Sequence, residues 1–202
     1  MRIGWFETSK ILGVILVATV VSMLFITLTE SCQPTLVLFG RLNTMKNLNS
    51  DGTKSALRSK FDRDYNFTEL YQWEHTKVRF VTNESFERSS DPFRILEIGK
   101  GKCGEFGVLY AALTLAHGYE SRLVISVDVG SLIFWLPQHE WVEVRTDNQW
   151  VHVDPSDQVW NDPSHYRTWP WAKGISSTVR IYAFEDGKIT DLSEYYKTMN
   201  ET

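Results

Sequence analysis

Two runs in the second half of the chain, Glu140 to Arg145 and Gln149 to Asp154, alternate apolar and polar residues on either side of Asp147-Asn148. A period of two around a pair of turn-forming residues is the signature of a β-hairpin, and it leaves little freedom. If Asp147-Asn148 is a two-residue loop, position 146 faces 149, so 143 opposes 152 and 141 opposes 154. Parity then places His139, Trp141 and Glu143 on one face with Trp150, His152 and Asp154. Val142, Val144, Val151 and Val153 take the other face as a core layer. A four-residue loop would preserve this parity. His139 and Asp154 become diagonal neighbours, about 7–8 Å apart between backbones and within side-chain reach. A carboxylate beside an imidazole fixes its tautomer, as a general base requires. His152 lies on the same face opposite Glu143, so periodicity does not rank the two histidines.

The remaining signals are consistent with this hairpin belonging to a larger sheet. Arg122 to Val129 is rich in β-branched residues and reads as a strand. Val179 to Phe184 and Lys188 to Leu192 flank Glu185-Asp186-Gly187 as a second hairpin. Upstream the period changes. Ser90-Asp91-Pro92 is a helix start, and Gly99 to Gly101 is a break. From Cys103, the residues Phe106, Leu109, Tyr110, Leu113 and His117 follow the spacing of one helix face, with Gly118 placed to end it. Helices followed by mainly antiparallel strands predict an α+β domain.

Cys103 opens that helix, directly after Gly99-Lys100-Gly101-Lys102. The positive end of the helix dipole and the neighbouring Lys102 both favour a thiolate, the nucleophilic form of sulfur. A thiolate needs a base to take and return its proton, and the hairpin supplies candidates in His139 and His152. An inert buried cysteine is the plain alternative. The chain has only two cysteines, Cys32 and Cys103, too few for a disulfide framework or a four-cysteine zinc site. No His or Cys pair has metal-ligand spacing, and no cofactor is implied. A formal net charge of −4 with scattered Lys and Arg argues against a nucleic-acid partner.

Ile11 to Leu28 is an 18-residue run without a charge. A spanning helix needs about 20 apolar residues, and a core helix would show a polar face. The expectation is a flank at 1–10, an uncleaved membrane anchor at 11–28 and a juxtamembrane or linker region at 29–65, in which 33–65 reads as a polar approach open to helix. A single compact domain follows at 66–202. Asn47 to Thr53, rich in turn formers, is the expected linker sequence. A cleaved signal peptide competes, but Thr29-Glu30-Ser31 is a poor cleavage site, and an indifferent lipobox for Cys32. Sequons at Asn66, Asn83 and Asn200 tilt a single-pass topology toward an extracytoplasmic domain.

The run from Asp91 to Phe106, ending Gly101-Lys102-Cys103-Gly104-Glu105-Phe106, resembles the nucleophile segment of transglutaminase-like enzymes. Gln138-His139-Glu140-Trp141-Val142-Glu143-Val144 resembles their histidine strand, and Trp150-Val151-His152-Val153-Asp154-Pro155-Ser156 their aspartate strand. Three motifs in the expected order, across roughly positions 90 to 160, are far more specific than one. The resemblance implies a papain-like α+β core with Cys103 at the start of its central helix. It implies Cys103 as nucleophile on an amide carbonyl, His139 as proton shuttle and Asp154 as its orienter. It thereby ranks His139 above His152. Family members also use an upstream Trp or Gln at the oxyanion, and Trp73 is the candidate by position.

The tail, from Asp154-Pro155 through Trp169-Pro170-Trp171 to Tyr182-Ala183-Phe184, is most similar to the peptide N-glycanase branch. The paired Cys-X-X-Cys zinc motifs of familiar peptide N-glycanases are absent. The expected partners are protein or peptide substrates, glycosylated ones included, and the membrane through residues 11–28. Hydrolysis is favoured over transamidation, because no accessory module offers an amine site. The alternative is a membrane-tethered binding module that keeps the fold without turnover. The apolar stretch Leu132 to Leu136 ahead of His139 resembles an insertion that lines a groove, touches the membrane or simply packs.

Overall fold

The structure is a computed structural model describing residues 37–128, 137–162 and 179–198. The expected anchor at 11–28, Cys32, the apolar stretch 132–136, the tryptophans at 169 and 171 and the sequon at Asn200 lie outside the described residues. Among the described residues, no helix is long and apolar enough to cross a membrane.

Two helices open the described chain, α1 at residues 37–48 and α2 at Asp51–Arg58. They occupy the region expected to be a linker, and the difference has a physical cause. The turn-forming residues between them act as a helix cap. The Ser50 hydroxyl accepts from the Thr53 amide, and Asp51 sits at the positive end of the helix dipole. Met45, Leu48, Leu57 and Phe61 are buried in the main core. Helices α1 and α2 therefore pack into the same core as the residues from 66 on.

Helix α3, Phe67–Lys77, starts with a capping box in which Asn66 and Glu69 satisfy each other's backbone amides. Strand β1, Arg79–Phe80, follows it. Helix α4, Pro92–Ile98, has Asp91 as its cap and Pro92 in its first turn, and stops at Gly99 with φ 66°. Strand β2, Lys100–Gly101, pairs parallel with β1 and delivers the chain into helix α5, Cys103–Ala116. Every residue of α5 from Gly104 to Thr114 is buried, the mark of a central helix rather than a surface one.

The remaining strands are β3 (Ser121–Asp128), β4 (Pro137–Thr146), β5 (Gln149–Asp154), β6 (Val159–Trp160), β7 (Val179–Glu185) and β8 (Lys188–Asp191). A short helix α6, Ser193–Thr198, closes the described chain. The sheet is antiparallel in the order β6-β5-β4-β3-β7-β8. The β4–β5 hairpin has the register expected from its alternation: Val142 faces Val153, Glu143 faces His152 and Val144 faces Val151. Asp147 (φ 46°) and Asn148 (φ 69°) both adopt the left-handed conformation of a two-residue hairpin turn.

Each face of the sheet has its own cover. Val142, Val144 and Val153 join Leu123 and Ile125 against α5. Val124, Trp141, Ile181 and Ala183 lie on the opposite side under Leu192 and Tyr196, from the end of β8 and from α6. The α+β architecture is the one expected. Its consequence for the site is that α5 and the ends of β4 and β5 meet at one corner.

Candidate active site

The junction before α5 sets the position of Cys103. A Cβ at Gly101 would lie 2.6 Å from the Glu105 Cβ, so only glycine allows the strand to turn this tightly into the helix. Glu105 then folds back, and its carboxylate accepts from the Lys102 amide at 3.0 Å. The same carboxylate pairs with Arg88. Cys103, half-buried, is the first residue of the helix, where backbone N–H groups have no partner within the helix and the dipole favours negative charge.

His139 comes from β4 and is 3% exposed; Asp154 ends β5 and is fully buried. The diagonal placement becomes a hydrogen bond between His139 Nε2 and Asp154 Oδ2. The other oxygen, Oδ1, accepts from the Ser156 amide at 3.0 Å, the Ser156 hydroxyl at 2.8 Å and the Asp157 amide at 3.1 Å. Asp154 is thus fixed by a turn of its own chain, and it fixes His139 in turn. Cys103 lies near enough to His139 to act on its charge.

Burial opposes a charge on His139, but the hydrogen bond to Asp154 and its negative charge, with Cys103 acting in the same direction, outweigh it. Together they push its pKa up to about 10. The site therefore favours an imidazolium, the natural partner of a thiolate. Trp141 stacks on the imidazole with centroids 5.9 Å apart and planes inclined by 21°. Its indole N–H donates to the Tyr196 hydroxyl at 3.0 Å. Tyr196 in turn bonds Glu143 Oε1 at 2.5 Å and His152 Nδ1 at 2.8 Å, while Arg122 holds Glu143 Oε2 at 2.5 Å. His152, level with His139 by periodicity, belongs to this buried network. Burial pulls its pKa down, which favours the neutral ring.

The structure thus brings Cys103, His139 and Asp154 together. Trp73 is placed by other contacts: its ring packs on Phe61 with centroids 4.7 Å apart, and Lys77 lies over it. Phe61 abuts His117, the residue that caps the C-terminal end of α5. Sequence reasoning missed Tyr196, Arg122, Arg41 and the role of Glu140. For Glu140 a signal existed, because its even parity on β4 put a carboxylate on the face of Val142 and Val144. His139, Asp154 and Asp157 offer ligand atoms within 4.8 Å of one another. Both oxygens of Asp154 are already engaged by protein donors, so the cluster is accounted for by orientation of His139.

Residues 52–155 match the family model described as the transglutaminase-like superfamily. Among curated proteins, the peptide-N(4)-(N-acetyl-beta-glucosaminyl)asparagine amidase of Saccharomyces cerevisiae is 31% identical over 118 residues, 57% of this chain and 29% of that protein. The protein of the same name from Oryza sativa subsp. japonica is 27% identical over 132 residues, 64% of this chain and 26% of its own length. The chain therefore spans less than a third of these relatives. Among solved structures, a chain of the Rad4/XPC nucleotide excision repair complex superposes with a TM-score of 0.58 at 11% identity, covering 83% of this chain and 49% of that one. At that identity the likeness concerns the fold alone.

Proposed function

The chain belongs to the transglutaminase-like superfamily, and from this premise we propose that it is a thiol enzyme that hydrolyses amide bonds of proteins or peptides. The observation that carries the reading is buried His139, hydrogen-bonded to Asp154 and electrostatically coupled to Cys103. In this mechanism the Cys103 thiolate attacks the amide carbonyl carbon. The first-turn amides of α5 face the negative charge that builds on the oxygen. The C–N bond then breaks, the imidazolium of His139 gives its proton to the leaving nitrogen, and a thioester remains on Cys103. His139, now neutral, takes a proton from water, which attacks the thioester and releases the acid and the thiolate. Asp154 holds the ring in one tautomer throughout.

The similarity to peptide-N(4)-(N-acetyl-beta-glucosaminyl)asparagine amidases supports a glycosylated asparagine side chain as the amide attacked, with an amino sugar as leaving group. We place the domain beside a membrane, held by the charge-free run from Ile11 to Leu28. The catalytic unit, on this proposal, starts at α1.

The test is release of product from three substrates: a glycopeptide, an unmodified peptide and a glutamine-containing protein offered with a free amine. The expected result is hydrolysis of the glycopeptide, lost by at least about 10³-fold in Cys103→Ala with melting temperature retained. Turnover of none of the three by folded protein would sink the enzymatic reading and favour a binding module of the same fold.

A further inference from the structure

The residue after His139 is a carboxylate in an expensive place. Glu140 is 2% exposed and points to the α5 side of the sheet. Its side chain lies against the first two turns of the cysteine helix, in a space made by two glycines. A Cβ at Gly104 would lie 3.5 Å from Glu140 Oε2, and one at Gly107 only 3.2 Å from its Cγ. The counter-charge comes from outside the motif-bearing region: Arg41 of α1 brings Nη2 to 2.6 Å from Oε2. The contact is close without the alignment of a hydrogen bond, and neither oxygen of Glu140 has a hydrogen-bond partner among the described residues.

The other end of the Arg41 fork, Nη1, donates to the Ser90 hydroxyl at 3.3 Å, next to the cap of α4. Arg88 from the same loop, and Glu105 from α5, complete the group of charges facing Glu140, with His139 beside it on its own strand. One guanidinium therefore reaches the strand that carries His139 and the loop that leads into α4. A carboxylate unpaired at this depth would be strongly disfavoured, so Arg41 and Glu140 need each other.

We propose that Arg41 and Glu140 are a positioning pair, through which helix α1 holds the His139 strand against the start of the Cys103 helix. This inference rests on Cys103 and His139 being the nucleophile and its base. The Glu140 carboxylate brings a negative charge to bear on His139, and its pairing with Arg41 fixes the strand that presents the imidazole. Burial raises Glu140 to about 7, with Arg41 the main influence pulling it down and Glu105 pushing it further up. The charge next to His139 is consequently sensitive to what Arg41 does.

The experiment uses the full chain in detergent. The alkylation rate of Cys103 by iodoacetamide is followed by mass spectrometry of its peptide, from about pH 4 to about pH 10. The proteins are the wild type, His139→Ala, Glu140→Gln, Arg41→Met, Arg41→Lys and the double variant Arg41→Met/Glu140→Gln, with circular dichroism to verify folding. In the wild type, the limb that disappears in His139→Ala is the one His139 controls. Glu140→Gln, isosteric with the native residue, should move that limb to lower pH by about half a unit to one unit, since it removes a negative charge. Arg41→Met should slow the plateau rate by about tenfold, and Arg41→Lys should recover most of that loss. The double variant should be no slower than the slower single variant, because the two residues act as one device.

Limb and plateau unchanged in Glu140→Gln and Arg41→Met, with His139→Ala slow, would overturn the positioning role and leave the enzymatic reading standing. Slow alkylation in the wild type, indifferent to His139→Ala, would remove both. Should Glu140→Gln not fold, the contrast between Arg41→Met and Arg41→Lys decides, and equal rates in those two would overturn the pair.

Discussion

Replacing Asp154 by asparagine isolates the charge that holds His139 while keeping its shape. The rise of His139 from 6.5 to about 10 corresponds to about 5 kcal/mol, at about 1.36 kcal/mol per pH unit. That figure combines Asp154 and Cys103 against burial. In Asp154→Asn the burial and Cys103 remain while the carboxylate does not, and the imidazole should fall from about 10 toward its ordinary value. The thiolate then loses its imidazolium partner near neutrality. An ordinary thiol is only a few per cent ionised at pH 7, so alkylation of Cys103 there should slow by about thirtyfold. Stability supplies an independent reading. His139 has a folded pKa above its unfolded value, so its contribution is complete below about 6.5 and lost as pH rises through about 10. Denaturant midpoints of the wild type should decline across that window, and those of Asp154→Asn should stay nearly level. An unchanged alkylation profile, or the same decline in both proteins, would refute the assignment of Asp154 as the group that charges His139.

Three further outcomes follow from local geometry. Gly101→Ala places a Cβ 2.6 Å from Glu105 Cβ, which is tied to the backbone of α5; a loss of about 1–3 kcal/mol in urea unfolding is expected, and an unchanged midpoint would mean the turn is looser than drawn. Tyr196→Phe removes a hydroxyl shared by Trp141, Glu143 and His152 and should cost about 1–3 kcal/mol, read as a lower melting temperature. Asn148→Gly relieves a left-handed residue with φ 69° and should stabilise the hairpin by up to about 1 kcal/mol, checked by the same melt; destabilisation would argue for a side-chain role in the turn.

The parts legible in the sequence were those governed by a period. Alternation about Asp147-Asn148 predicted the register of β4 and β5, and with it the meeting of His139 and Asp154. Glycine punctuation predicted the start of α5 at Cys103. Helix was open for residues 33–65, but its place in the core was not legible, because Ser50-Asp51-Gly52 reads equally as a loop or as a cap, and only packing of Met45 and Leu57 into the core decides. Tyr196 was hidden for a different reason. Its partners are Trp141, Glu143 and His152, 44 to 55 residues away, and no local pattern specifies a contact across that separation. Trp73 shows the converse: a position in the chain suggests a role, while its ring is committed to Phe61.

The buried charges near the site share a design that bears on how precisely His139 is held. Glu105 pairs with Arg88, Glu140 with Arg41, Glu143 with Arg122 and Asp154 with His139. Each pair joins separate parts of the chain, and three of the four include a residue of β4. Buried ion pairs add little net stability over well-packed apolar residues, because desolvation offsets their attraction. What they supply is direction, since a misplaced partner leaves a charge uncompensated. Glu74 makes the contrast. Neither of its oxygens has a partner among the described residues, and burial pushes its pKa well up, toward the neutral acid. A neutral acid imposes no such direction. On this view β4 is the strand whose placement the chain specifies most strictly, and His139 is the side chain on it for which that strictness matters to the proposed chemistry.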